Sequence, residues 1–376
     1  MKKRTLLLSL ALAVLVFAVY AAAAGGDALD PLISLDFLDG AFRSQAEEQL
    51  DSAAARADAA ALDETKDRWS AAVAKAEAAA GSEYTSMWTD TRVKQGDILS
   101  GGTGLQVLPL AGGLTVTFSS GAVVDVTDGT ELTSGSAIPQ GHRCLVAEDT
   151  VALFTVSSKT AVINYCGGYS FTLSNAPDCN AMADALRALS LFRGTGSGSG
   201  SGYELEKVPT RIEALIMLLR LLGEEDDALA CTAAHPFTDV PDWCAPYVAY
   251  AWEKGYSNGI GKDRYGKDLF GTQYETSATQ YTEFILRALG YSSTDNTDIT
   301  DAPERALAAG VLTAGECERL RSTDFLRADI AYLSYYALSA RTSSGTELSR
   351  VLINAGVFTS ADYRAAKAMV TTDRLA

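Results

Sequence analysis

Hydrophobic and polar positions divide this chain into stretches of different period. Residues 6–19 are almost continuously apolar, behind Lys2, Lys3 and Arg4 and ahead of Ala21, Ala22, Ala23 and Ala24. A basic start, an apolar core of roughly fourteen residues and a small-residue end predict a secretory signal over residues 1–24, the core being short for a bilayer span. An uncleaved anchor is the alternative. Residues 25–85 are Ala-rich, and 41–80 lack both Pro and Gly. They predict one or two exposed helices, either a spacer or helices that pair with each other or with the next module. Over 86–177 the period drops to two, in short runs at 105–110, 114–118, 122–126, 143–146, 151–156 and 161–165. Turn signals such as Gly112-Gly113 and Asp128-Gly129 separate the runs and predict a small antiparallel β barrel or sandwich. From residue 178 the helical period returns. The expected fold class is therefore multidomain α+β: an N-terminal helical segment, a β module and a C-terminal all-α region.

The helical part repeats itself. The helix start PTRIEALIMLLRLLG at 209–223 recurs as TSATQYTEFILRALG at 276–290 and as TDFLRADIAYLSYYAL at 323–338. Repetition builds several copies of one surface. The run GTGSGSGSGY at 194–203 has the composition of a flexible linker. A Gly-containing loop occupies the same place at 255–270 in the second copy, so the run reads as an enlarged loop, with the boundary near residue 178. Thr210 with Glu213 and Ser277 with Gln280 have the spacing of capping boxes. Arg211 differs, because a cation in the first turn opposes the helix dipole. A guanidinium beside free helix amides suits a carboxylate or phosphate; a surface ion pair is the alternative. Aligning Arg287 with Arg220 places Ala278 opposite Arg211, whereas the third copy retains Arg327 and Asp329.

The second copy is the most explicit, with FTDVPDW at 237–243, YVAYAWEKGYSNGIG at 247–261 and then the helix from Ser277. It resembles the S-layer homology family, whose motif has an F-x-D-V-x-x-W opening, a helix ending in G-x-x-x-G-x-G and a T-R-A-E helix start. The resemblance covers about residues 178–340, as motifs near 178–223, 237–290 and 298–340. The tail, 341–376, either caps the third copy or begins a fourth. Copy one lacks the opening, copy two lacks the Arg, and copy three has Ile299-Thr300-Asp301-Ala302 in place of the opening.

The resemblance implies a three-motif helical bundle whose Arg contacts an acidic cell-wall glycan. It implies a secreted bacterial protein held non-covalently at the cell wall or S-layer by a peptidoglycan-linked secondary cell-wall polysaccharide, with S-layer or other surface proteins as further partners. The glycan-binding residues expected on this basis are Arg211, Arg327, Trp243, Asn258, Gly259, Gly261, Lys262 and Asp329. Trp243 either stacks on a sugar or plugs the core; the glycines admit a ligand to the backbone or merely permit the turn. Phe237, Tyr281, Phe284, Ile285 and Leu289 are expected in the core. Two other readings are a surface enzyme or receptor acting through residues 86–177, and a structural surface-layer protein with degenerate repeats.

Charge and composition narrow the partners. Forty-seven acidic against thirty-one basic residues give a net charge of −16, which argues against nucleic acid and anionic membranes. No second apolar run is long enough to span a bilayer once the signal is removed. Six cysteines without a CxxC pair leave room for one or two disulfides. With only His142 and His235, no metal, cofactor or catalytic set is assigned, and His142 with Cys144 reads as structural. The GxG run at 194–202 follows a helix rather than a strand, which weakens a nucleotide-binding reading.

Overall fold

The computed structural model describes residues 38–80, 83–195, 202–291 and 299–376. The expected signal at 1–24 and most of the Gly-Ser run lie outside the described residues. The chain divides into two compact units, residues 1–74 and 75–376. In the first, a π-helical turn, Leu38–Phe42, leads into α1 (Arg43–Ala80), a helix of 38 residues. The Ala-rich stretch thus forms one helix. Its described side chains are almost all exposed, Leu50, Leu62 and Trp69 among them. Such a helix rests on Ala propensity and on i,i+4 pairs such as Arg43–Glu47 at 3.1 Å.

The second unit begins with a ten-stranded sheet, antiparallel throughout. Its strands are β1 (Glu83–Lys94), β2 (Ile98–Gly101), β3 (Gln106–Ala111), β4 (Leu114–Thr117), β5 (Val123–Asp125), β6 (Thr130–Leu132), β7 (Ala137–Ile138), β8 (Cys144–Val146), β9 (Ala152–Val156) and β10 (Thr160–Thr172). The order is β6-β5-β8-β3-β10-β2-β9-β4-β7, with β1 also on β10. β10 is the hinge of the curl. Thr160 to Tyr169 pair with β1, Val162 to Cys166 also pair with β3, and the end, from Ser170, pairs with β2. Gly167 marks the change of partner at φ +124°, where a Cβ would come within 2.9 Å of the Leu105 backbone. The curl encloses Leu99, Val107, Val116, Val123, Phe154 and Ile163, the inward positions of the alternating runs.

The remainder is mainly helical: α2 (Cys179–Ala188), α3 (Arg211–Leu221), α4 (Glu225–Leu229), α5 (Ala245–Glu253), α6 (Ala278–Ala288), α7 (Ala302–Ala308), α8 (Ala314–Ser322), α9 (Arg327–Ala337), α10 (Leu348–Asn354) and α11 (Ser360–Ala368). The expectation of an all-α region needs one correction, the hairpin β11 (Gly261–Lys262) and β12 (Asp268–Leu269), which forms because Gly266 turns the chain between them. The repeated helices α3, α6 and α9 are eleven residues each, with Arg211, Ala278 and Arg327 at the first position. Phe237, Tyr281, Phe284, Ile285 and Leu289 are buried together in one core with α2 and α9.

The preceding short helices repeat as well. α2, α5, α7 and α10 each end on a left-handed residue, Ser190, Gly255, Gly310 and Gly356. In each, the next amide, of Leu191, Tyr256, Val311 or Val357, bonds the carbonyl five residues back. This is the Schellman closure. The tail copies the third motif further: Thr313 with Glu316 starts α8, and Thr359 with Asp362 starts α11, as capping boxes. Helices α10 and α11 thus share the turn and cap of α7 and α8, and α11 packs on α2.

Among the described residues no helix is long and apolar enough to cross a membrane. The six cysteines are all free thiols. Burial raises the Cys144 and Cys179 thiols to about 12, which leaves them unreactive.

Candidate functional site

The repeated helices are docked start-to-loop. The amides of Arg211 and Ile212 bond the carbonyls of Tyr274 and Thr272 in copy two, at 2.8 and 3.3 Å. The amides of Arg327 and Ala328 bond Lys207 and Leu205 of copy one in the same pattern, at 2.8 and 2.9 Å. Copy two shows no such pair at Ala278 among the described residues, and α8 occupies the stretch where copy three would carry the loop. That junction is built instead on Glu283, buried, which binds Arg287 at 2.6 Å and Arg305 of α7. The expectation of free helix amides beside Arg211 is thus corrected: the first two are taken by the neighbouring loop, and the third is taken by Thr210, whose box with Glu213 is complete. The box of Ser277 and Gln280 is complete too.

What is left of the Arg211 site is its guanidinium, and its environment is unusual. The residue is 3 % exposed. Its charge lies 4.7 Å from the ring centre of Phe284 and 5.2 Å from that of Phe270. Nη2 donates to the Ser257 hydroxyl and the Gly259 carbonyl, both at 3.3 Å. Nε and Nη1 are sealed from solvent and have no hydrogen-bond partner. Burial, reinforced by the nearby charge of Arg287, lowers the pKa to about 10, against the opposing pull of Asp239. The group therefore stays charged at neutral pH.

Each wall of this site traces to the second motif. Asp239 accepts the amides of Phe270 and Gly271 at 2.7 Å each, holding Phe270 against the guanidinium. Phe237 packs under Phe270, ring centres 5.8 Å apart. Gly259 has φ +80°, and a Cβ there would sit 2.4 Å from the Leu269 carbonyl and 2.5 Å from Phe237. Sequence reasoning missed Asp239, Ser257 and Phe270 as site-builders. The Asp of the F-x-D-V opening was the available signal.

The other expected residues are dispersed. Arg327 is also buried, but its Nε donates to the Tyr203 carbonyl at 3.2 Å and Nη1 lies 3.7 Å from Glu213. Burial lowers its pKa. Asp329 is buried and takes the Leu326 amide at 2.8 Å and Lys159 of the β module at 2.6 Å. Because Leu326 has no side-chain oxygen, only this reverse half of the cap exists in copy three. Asn258 lies between Ser257 and Gly259 in the Arg211 loop. Trp243 is 58 % exposed and does not plug the core. Lys262 on β11 is exposed and paired with Asp268 at 2.9 Å, next to Gly261, whose φ of +108° faces open space.

The β module is tied to the helices by polar contacts. Lys159 also donates to the Asp324 carbonyl at 2.6 Å. Arg92 binds both oxygens of Asp184, at 3.1 and 2.6 Å, and lies over the ring of Tyr203, whose hydroxyl donates to Asp184 as well. Elsewhere in the module, Asp125, Asp128 and His142 bring potential ligand atoms within 4.8 Å of one another. One Asp125 oxygen is held by the amides of Thr127 and Asp128 and the other by His142 Nδ1 at 2.7 Å. This arrangement works as a turn lock.

No family model matches this chain, and no curated protein matches it. Among solved structures, it is similar to procruciferin, an 11S globulin from Brassica napus, at 9 % identity over 26 % of each chain with a TM-score of 0.15. It is also similar to pumpkin seed globulin, at 12 % identity over 27 % of this chain and 28 % of that one, with a TM-score of 0.16. The chain spans about a quarter of the length of these proteins, and likeness at this level carries no argument about fold or function.

Proposed function

We propose that this is a secreted bacterial surface protein whose helical region holds an anionic cell-wall polysaccharide non-covalently, with Arg211 as the principal ligand residue and Arg327 as the second. The observation that carries the proposal is the pair of unpartnered, buried nitrogens on Arg211. An uncompensated buried charge costs several kcal/mol. The local fold does not need it, since α6 keeps the same length and cap with Ala278 in its place. A carboxylate or phosphate would satisfy the guanidinium with two parallel N–H bonds. To admit it, the loop carrying Ser257, Asn258, Gly259 and Gly261 moves off the guanidinium. Trp243 offers an exposed indole to a sugar ring nearby in sequence, and Lys262 offers a second cation. Two weak Arg sites on one polymer add through avidity. The likeness of residues 237–261 to the S-layer homology motif supports the same reading.

The test is equilibrium binding of the intact chain to a purified acidic wall polysaccharide and to its neutralised form, carboxyl-reduced and dephosphorylated. The native polymer binds, more weakly as salt rises, and the neutralised polymer does not. Equal binding of the two forms contradicts the proposal.

A further inference from the structure

A pocket of about 220 Å³ opens between the end of α9, α11 and the C-terminal segment. It takes no part in the Arg211 and Arg327 sites. Its wall is three half-buried tyrosines, Tyr335, Tyr336 and Tyr363. They are held in place by their neighbours. The Tyr336 ring lies 5.1 Å from Tyr335 and 4.8 Å from Tyr332. Arg374 covers it at 4.7 Å and is itself fixed to buried Glu316 by bonds of 2.7 and 2.8 Å. Tyr363 stacks on Phe358 at 5.9 Å. An aromatic wall fixed beforehand loses little freedom when a ligand arrives.

Charge selects the kind of ligand. Glu316 neutralises Arg374. Lys367, whose ammonium lies 5.9 Å from the centre of the Tyr363 ring, and Asp373 also line the pocket, one of each sign. Counted together with Glu316, which pairs with Arg374 from outside the lining, the charges balance, and an anion gains no net attraction there. What it offers is ring surface for C–H groups, with hydroxyl, ammonium and carboxylate groups around the rim. A pyranose has this division, an apolar face bordered by hydroxyls, and aromatic rings with a polar tip complement it. The volume lies below the roughly 300–1,000 Å³ of drug-sized sites, which fits a single ring.

We infer that this pocket is a subsite for one neutral pyranosyl residue. It stands independently of the Arg211 reading, because it rests on different residues and a different ligand charge. Saturation-transfer NMR on the full chain tests it, with methyl β-glucopyranoside and methyl N-acetyl-β-glucosaminide as neutral probes and glucuronate as the acidic one. Both neutral probes show transfer that saturates in the millimolar range. Ser339→Trp, which fills the pocket mouth from an exposed position, abolishes the transfer while circular dichroism stays unchanged. Tyr363→Leu, which removes one ring, weakens it by about tenfold. The inference is overturned by no saturable transfer from either neutral probe, by transfer that persists in Ser339→Trp, or by glucuronate binding at least about tenfold more tightly than both.

Discussion

Arg211 is a residue that the fold keeps at a cost. Its two aromatic neighbours return part of that cost, about 2 kcal/mol for a desolvated cation–π contact. The fall in its pKa from 12.5 to about 10 corresponds to roughly 3 kcal/mol against the charged form. Arg211→Met keeps the bulk between Phe270 and Phe284 and removes the charge. Its expected effect is a stability gain of about 1–3 kcal/mol, read as a melting midpoint higher by a few degrees, together with loss of acidic-glycan binding. A lower midpoint would make Arg211 a structural residue.

Also at this scale, His142 and Asp125 make stability depend on pH. The hydrogen bond to Asp125 is the main cause that raises the His142 pKa above its usual value, and burial opposes it. Its contribution is therefore complete below about pH 6.5 and is lost as pH rises through the higher folded value. Burial works against the Asp125 charge, but the His142 bond and the amides of Asp128 and Thr127 outweigh it and lower the pKa. That contribution is lost only in acid, below 3.8. Thermal melts should show Asp125→Asn more destabilising near pH 5 than near pH 9; an equal loss at both would remove the pair from the account. The capping pairs and the core aromatics were readable from type and spacing. The sealing of Arg211 and the Asp125–His142 bond were not, since both depend on residues brought together from distant positions.

At the scale of elements, local pattern carried the helices well. The three eleven-residue helices follow from the repeated starts, with the capping boxes of the first two, and the Schellman ends at 255, 310 and 356 fall on glycines. Ser190 hid the first of these ends, because a non-Gly left-handed residue leaves no composition signal. The runs around β3, β4, β5, β8, β9 and β10 were found by alternation. The strands β6 and β7, of three and two residues, are too short to show a period. The junction of sheet and helices was invisible, because Lys159 and Asp329 are 170 residues apart. Removing one partner of such a buried pair leaves the other charge uncompensated, at about 3–5 kcal/mol. Lys159→Met should therefore lower the stability of the β–helical unit by that order in denaturant titration. A loss under about 0.5 kcal/mol, typical of a surface change, would show that this contact does not hold the junction.

At the scale of the whole molecule, the repeats have diverged in what they present. Copies one and three each place a helix start on a neighbouring loop and bury an Arg there, whereas copy two uses α7 and Glu283 to make its junction. Two Arg sites are thus the most that three copies supply. Co-sedimentation of the intact chain with isolated bacterial cell walls, wild type beside the double variant Arg211→Met and Arg327→Met, tests this account most directly. The account predicts that the wild type pellets with the walls and is released when their acidic polysaccharide is extracted, while the double variant stays in the supernatant. A double variant that pellets as fully as the wild type would contradict it.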